Sequence, residues 1–132
     1  DLAEAVAKGP EARLPHQHSF EDKGGKVRHH VRVKWWNGDA RTWRQVAMSV
    51  PDINQLPDAP LPDDLLTAIY PDGDLPVFFG HYWMSGAPEL QSANALCLDY
   101  SAGTDGPLVT YAHPSSELRI RLSNICVHEA AK

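Results

Sequence analysis

The sequence is poor in the features that mark most ready-made sites. It holds 2 cysteines in 132 residues, Cys97 and Cys126, and no Cys-x-x-Cys spacing, which leaves a zinc knuckle or a dithiol redox pair without ligands. Each lies in an apolar stretch, Ala95-Leu96-Cys97-Leu98 and Asn124-Ile125-Cys126-Val127. That is the usual setting of a buried free thiol, and it points to a reducing, cytoplasmic location; a Cys97–Cys126 disulfide stays open on sequence alone. No Gly-x-Ser-x-Gly elbow and no Gly-rich phosphate loop with its lysine occurs, so serine-hydrolase and P-loop chemistry lose their defining parts. No apolar run approaches the roughly 20 residues of a membrane helix. The opening Asp1-Leu2-Ala3-Glu4-Ala5 is acidic where a secretory signal is basic. An excess of positive charge is missing as well. The net charge of −5 argues against non-specific binding to nucleic acid or to an anionic membrane surface.

What is present is enough for about one domain. The chain begins with Asp1 rather than Met, and we read it as processed, trimmed or cut from something longer. Leu2 to Lys8 is a short Ala-rich helical pattern stopped by Gly9-Pro10. From Val27 the pattern has period two: Val27, His29, Val31, Val33 and Trp35 alternate with Arg28, His30, Arg32, Lys34 and Trp36. That predicts a half-buried strand with one apolar and one basic face. Asp22-Lys23-Gly24-Gly25 and Asn37-Gly38-Asp39 are turn signals, and Thr42 to Met48 fits a strand or a helical turn. Between Pro51 and Pro76 prolines allow one short helix, Asp63 to Tyr70, with two aspartates in its first turn. Strands are expected at Pro76–Phe79, Asn94–Tyr100, Leu108–His113 and Glu117–Val127, with Gly103–Pro107 a hairpin turn between the second and third. The fold class is α+β and β-rich, mostly antiparallel with few short helices. A four- to five-stranded sheet with so little helix has an apolar face it cannot cover alone. We expect residues 1–132 to be a single incomplete domain, its missing layer lying before Asp1 or supplied by a second copy.

The sharpest local signal is Pro76-Val77-Phe78-Phe79-Gly80-His81-Tyr82-Trp83. A buried strand ending in Gly-His places an imidazole at the strand's C-terminal edge, where a turn can aim it at a metal. The plainer reading is a strand-end histidine that is simply hydrogen-bonded. Asp99 ends another apolar strand and is a candidate to orient His81, as carboxylates do for metal-bound imidazoles, or else to cap a turn with Ser101. Tyr82 and Trp83 read as core aromatics, with the wall of a phosphoester pocket as the alternative. Arg28 and Arg32 share a predicted strand face and suit bidentate contact with phosphate oxygens, although a solvated face explains them equally. His16 and His18 lack a Cys or acidic partner at metal-ligand spacing. His29 and His30, being adjacent in a strand, point to opposite faces.

Taken in order, Gly9-Pro10-Glu11, Leu14-Pro15, Phe20-Glu21-Asp22-Lys23-Gly24-Gly25, Arg28, Arg32, Trp35-Trp36, Pro76 to Trp83, and Asn94-Ala95-Leu96-Cys97-Leu98-Asp99-Tyr100-Ser101 form a specific series. It resembles the C-terminal region of bacterial calcineurin-like metallophosphoesterases, of the serine/threonine protein phosphatase and diadenosine tetraphosphatase-like kind. The resemblance runs from about Glu4 to Tyr111. It implies an α/β/β/α sandwich that hydrolyses phosphoesters or dinucleoside polyphosphates with a metal-activated water, using divalent metal ions (Mn, Fe or Zn) held by five motifs. Only the last motif, Gly80-His81, is present. Asp-x-His, Gly-Asp-x-x-Asp and Gly-Asn-His are absent, and Trp83 stands where some members carry a second histidine. The resemblance therefore implies a fragment, His81 its metal ligand, inactive without the upstream part of the same protein. The competing expectation is a non-catalytic β-rich interaction module that dimerises or binds a partner through its uncovered sheet face.

Overall fold

A computed structural model describes residues 8–129. The helical pattern expected over 2–8 falls, except for Lys8, outside them. The chain divides into two compact units, Asp1–Tyr70 and Pro71–Lys132, each described here by itself.

The first unit is built on a three-stranded antiparallel sheet. Strand β1 (Glu11–Arg13) pairs with β4 (His30–Val33), and β4 pairs with β5 (Ala47–Met48). Between β1 and β4 the chain makes a hairpin of β2 (Phe20–Glu21) and β3 (Val27–Arg28). The Asp22 carboxylate folds its turn by accepting from the backbone N–H of Gly24 and Lys26, at 2.9 and 3.0 Å. Gly25 supplies the left-handed residue, φ 74°, that a side chain would resist. The predicted alternation holds at Val31 and Val33, both essentially inaccessible, but the long strand does not form. A bend at His29 separates β3 from β4, and Val27 is exposed. After Val33 the chain turns, with Asn37 N–H donating to Lys34 O, so Trp36 is buried instead of Trp35.

The ambiguous Thr42–Met48 segment divides into one helical turn, α1 (Trp43–Val46), and then β5. The turn forms because Gln45 Oε1 reaches back to the N–H of Arg41 and Thr42, at 2.8 and 3.2 Å, satisfying donors a helix start leaves orphaned. Val31, Val33, Trp43, Val46, Ala47, Leu56 and Leu61 close the core. Helix α2 (Asp63–Thr67) is shorter than expected. Beyond it Tyr70 N–H leaves the helical path and donates to Trp35 O at 2.7 Å.

The second unit has two small sheets where one larger antiparallel sheet was expected. Strands β6 (Val77–Phe79) and β7 (Ala95–Cys97) run parallel, with Val77 opposite Ala95 and Phe79 opposite Cys97. Strands β8 (Leu108–Tyr111) and β9 (Ile125–His128) are antiparallel. The predicted hairpin between Asn94–Tyr100 and Leu108–His113 is thus corrected. The segment 101–106 does turn, with Thr104 and Gly106 N–H both donating to Ser101 O, but β8 pairs forward to β9, not back to β7. The fourth expected strand shrinks to β9, because Leu122–Asn124 winds into a 3-10 turn. Phe78, Tyr111 and His113 stack between the sheets, with ring centroids 4.9 to 6.0 Å apart.

The secondary structure is β-rich with few short helices and largely antiparallel pairing. The expected four- to five-stranded sheet, and with it the broad bare face, is absent among the described residues. No helix among them is long and apolar enough to cross a membrane.

Candidate functional site

Parallel pairing decides what the second unit brings together. Two strands running the same way release their next residues at the same end, so Gly80-His81 and Leu98-Asp99 emerge side by side from β6 and β7. Leu98 N–H donates to Phe79 O at 2.9 Å, extending the ladder. Such carboxyl ends of parallel strands are where open α/β sheets commonly place ligands.

Past the ladder, Asp99 organises the loops. Its Oδ2 accepts from His81 N–H at 2.8 Å and its Oδ1 from Ser101 N–H at 3.1 Å. Asp99 O accepts from Met84 N–H at 2.8 Å. The carboxylate therefore holds the main chain of His81 and not its ring, while also bracing the Ser101 turn.

Three non-glycine residues of these loops take the left-handed conformation: His81 at φ 76°, Trp83 at 48° and Ser101 at 65°. Gly80, the glycine of the Gly-His pair, is not left-handed. A Cβ there would meet only ordinary contact, 3.5 Å from Asp99 Cβ. The reversal falls on His81 instead, and it leaves the imidazole exposed, edge-on to Tyr82 at 6.2 Å.

Tyr82 is half-buried and packs edge-to-face on Phe79 at 5.5 Å, as a core aromatic should. Trp83 does not follow it: the reversed backbone leaves it 69% exposed, which corrects the core reading. Beneath the loops lies Cys97, fully buried. Burial pushes its thiol above the ordinary value, although the N–H groups of Asp99 and Tyr82 pull the other way, so it stays a neutral packing group. Cys126 is exposed, not buried as its apolar neighbours suggested, and both thiols are free.

Three residues to which the sequence reading gave no role, Asn94, Gln91 and Tyr100, hold the site's scaffold. Buried Asn94 donates through Nδ2 to Pro71 O and Asp74 O, at 2.8 and 3.0 Å. It so fixes the approach to β6, and its own O accepts from Val77 N–H at 2.8 Å. Gln91 Oε1 accepts from Cys97 N–H, and the Tyr100 hydroxyl accepts from Glu89 N–H. Only the placement of Asn94 directly before an apolar run hinted at this.

Arg28 and Arg32 belong to the first unit. They lie on different strands, on either side of the bend at His29, and line one groove with His29 and His30. Arg28 Nε bonds Asp22 Oδ2 at 2.8 Å, and Arg32 Nη2 stands 3.9 Å from Glu11 Oε1. His16 and His18 are exposed. Among the described residues no group of three or more His, Cys, Asp and Glu side chains is placed to hold a metal ion. A single exposed imidazole whose backbone N–H is held by one carboxylate does not by itself amount to a metal centre.

Comparison with protein-family models, with curated proteins and with solved structures finds no match to the chain.

Proposed function

We propose that the chain is the C-terminal part of a calcineurin-like metallophosphoesterase, in which His81 supplies one ligand to a divalent-metal site. The reading is supported above all by His81 itself: an exposed imidazole in the left-handed conformation, at the carboxyl ends of two parallel strands, with its backbone clamped by Asp99. A strained backbone at an exposed polar residue is a feature that packing alone does not favour. The motif order quoted from the sequence adds the family.

The residues of this chain do not fit a complete two-metal centre, so no hydrolytic step is assigned to them alone. Their part is narrower. Asp99 fixes where the His81 main chain turns, the turn presents the ring outward, and Tyr82 braces the ring's edge through Phe79. The remaining ligands would come from the upstream part of the same protein, and a divalent metal would activate water for attack on a phosphoester. Two free thiols suit a cytoplasmic setting.

The test is to express the protein with the coding sequence that precedes Asp1 and to assay a chromogenic phosphomonoester and a dinucleoside polyphosphate with Mn²⁺ and with chelator. Chelator-sensitive hydrolysis supports the reading. An upstream sequence without Asp-x-His and Gly-Asn-His motifs, or hydrolysis indifferent to metal, overturns it.

A second reading keeps one specific observation: Leu75, Trp83, Leu108, Leu118 and Leu122 of the second unit are each more than half exposed. An interaction module that dimerises through such residues should show a concentration-dependent mass by light scattering, and a monodisperse monomer counts against it.

A further inference from the structure

The register of the first sheet sorts its side chains by chemistry. Cross-strand partners share a face, and the pairs are Glu11 with Arg32, Arg13 with His30, Ala12 with Val31, Arg32 with Met48 and Val33 with Ala47. Ala12, Val31, Val33 and Ala47 face the core. The other face therefore carries Glu11, Arg13, His30, Arg32 and Met48, and the β2–β3 hairpin borders it with the Arg28–Asp22 pair. Together they line an open groove of about 750 Å³.

The charges of this groove are not all spoken for. Arg28 is matched by Asp22 at 2.8 Å. Arg13 is exposed and makes no ion pair among the described residues. Arg32 is the informative one. Its Nη2 sits 3.9 Å from Glu11 Oε1, too far for a hydrogen bond, and its Nε is buried with no acceptor. Nε and Nη2 form the side-on fork of a guanidinium, whose two parallel N–H groups match two oxygens of one oxyanion. A buried charged donor left without an acceptor is costly. Glu11, at the sheet edge and mostly exposed, does not close onto it.

We propose that this sheet face is an anion site for a small phosphate-bearing molecule, held by the guanidinium of Arg32 and by Arg13, which has no ion pair among the described residues. Phosphate is favoured over a lone carboxylate because Arg13 and Arg32 come from different strands, and a tetrahedral group can offer oxygens to both. The inference concerns the first unit alone and stands whether or not His81 binds metal.

The test is to titrate the ¹⁵N-labelled chain with inorganic phosphate, phenyl phosphate and acetate at fixed ionic strength, following amide shifts. Saturable shifts confined to residues 11–13, 28–32 and 48–49, for both phosphates and not for acetate, are expected. Arg13→Gln should weaken binding about tenfold, the loss of one charged hydrogen-bonding group. Arg32→Lys, which keeps the charge and loses the fork, should weaken it similarly. Glu11→Gln removes the competing carboxylate and should tighten it. Arg13 and Glu11 are exposed, so their variants remain informative even where Arg32→Lys unfolds. Equal shifts with acetate, or unchanged affinity in both Arg13→Gln and Glu11→Gln, would overturn the proposal.

Discussion

His81 carries a backbone cost that a single substitution can expose. Its φ of 76° lies where an L side chain sits too close to the neighbouring carbonyl, at about 1–2 kcal/mol per residue. Replacing it by alanine removes the ring and keeps that cost. Replacing it by glycine removes both, but glycine gives back roughly 0.5–1 kcal/mol through its freer unfolded chain. The net expectation is that His81→Gly is more stable than His81→Ala by about 0.5–1 kcal/mol. The comparison isolates the backbone, because both variants lose the ring's edge contact with Tyr82. Urea unfolding followed by tryptophan fluorescence reads the difference as a shift in midpoint at unchanged slope. A glycine variant equal to or less stable than the alanine variant would show that His81 is not strained, and would remove the reason for regarding its conformation as functional.

Other perturbations follow from the same geometry. Asp99→Ala strips the acceptors from His81 and Ser101 N–H; in a half-exposed loop we expect a loss of about 2 kcal/mol, with Asp99→Asn losing roughly half of that because one carbonyl oxygen remains. Comparable losses in the two variants would contradict the two-acceptor account. Gly106→Ala should be more damaging than either, since a Cβ would lie 1.8 Å from Tyr100 O and the 101–106 turn must open; an unchanged melting temperature would refute it. Asp22 is held below its ordinary value of 3.8 by the Lys26 N–H, then by the Arg28 side chain and the Gly24 N–H, with burial opposing. A depressed carboxyl stabilises the fold above its unfolded value and loses that contribution as pH falls through the folded one. Below about pH 4 the wild type should therefore lose stability more steeply than Asp22→Asn, and parallel acid profiles would contradict the assignment.

Local chemistry was legible in the sequence where one residue type decides it. Asp22-Lys23-Gly24-Gly25 makes its turn because the aspartate reaches its own following N–H groups and Gly25 accepts a positive φ. Val31 and Val33 are buried as their alternation requires. Pairing partners were not legible, because they depend on tertiary contacts. Nothing in Leu108–Tyr111 distinguishes a partner before it from one after it, so a turn at 101–106 read as a hairpin. The parallel β6–β7 pair escaped for the same reason, although it determines the candidate site. His81 was identified by its place after a strand and Gly80. Its left-handed backbone and the Asp99 clamp needed coordinates, since a turn residue beside glycine is ordinarily assigned to the glycine. Trp83 was misread as core because aromatic residues usually bury, and a positive φ at 48° turned it outward.

The proposed role of His81 as a metal ligand of a phosphoesterase is tested most directly by metal-dependent turnover of a chromogenic phosphoester by the protein extended upstream of Asp1. Wild type is compared with His81→Ala, with His128→Ala as a control at an exposed histidine on β9. If His81 is a ligand, His81→Ala lowers Mn²⁺-dependent kcat by about 100-fold or more, while His128→Ala retains near-normal activity. Turnover by His81→Ala within about twofold of wild type, a difference of under half a kcal/mol in the barrier, would contradict it.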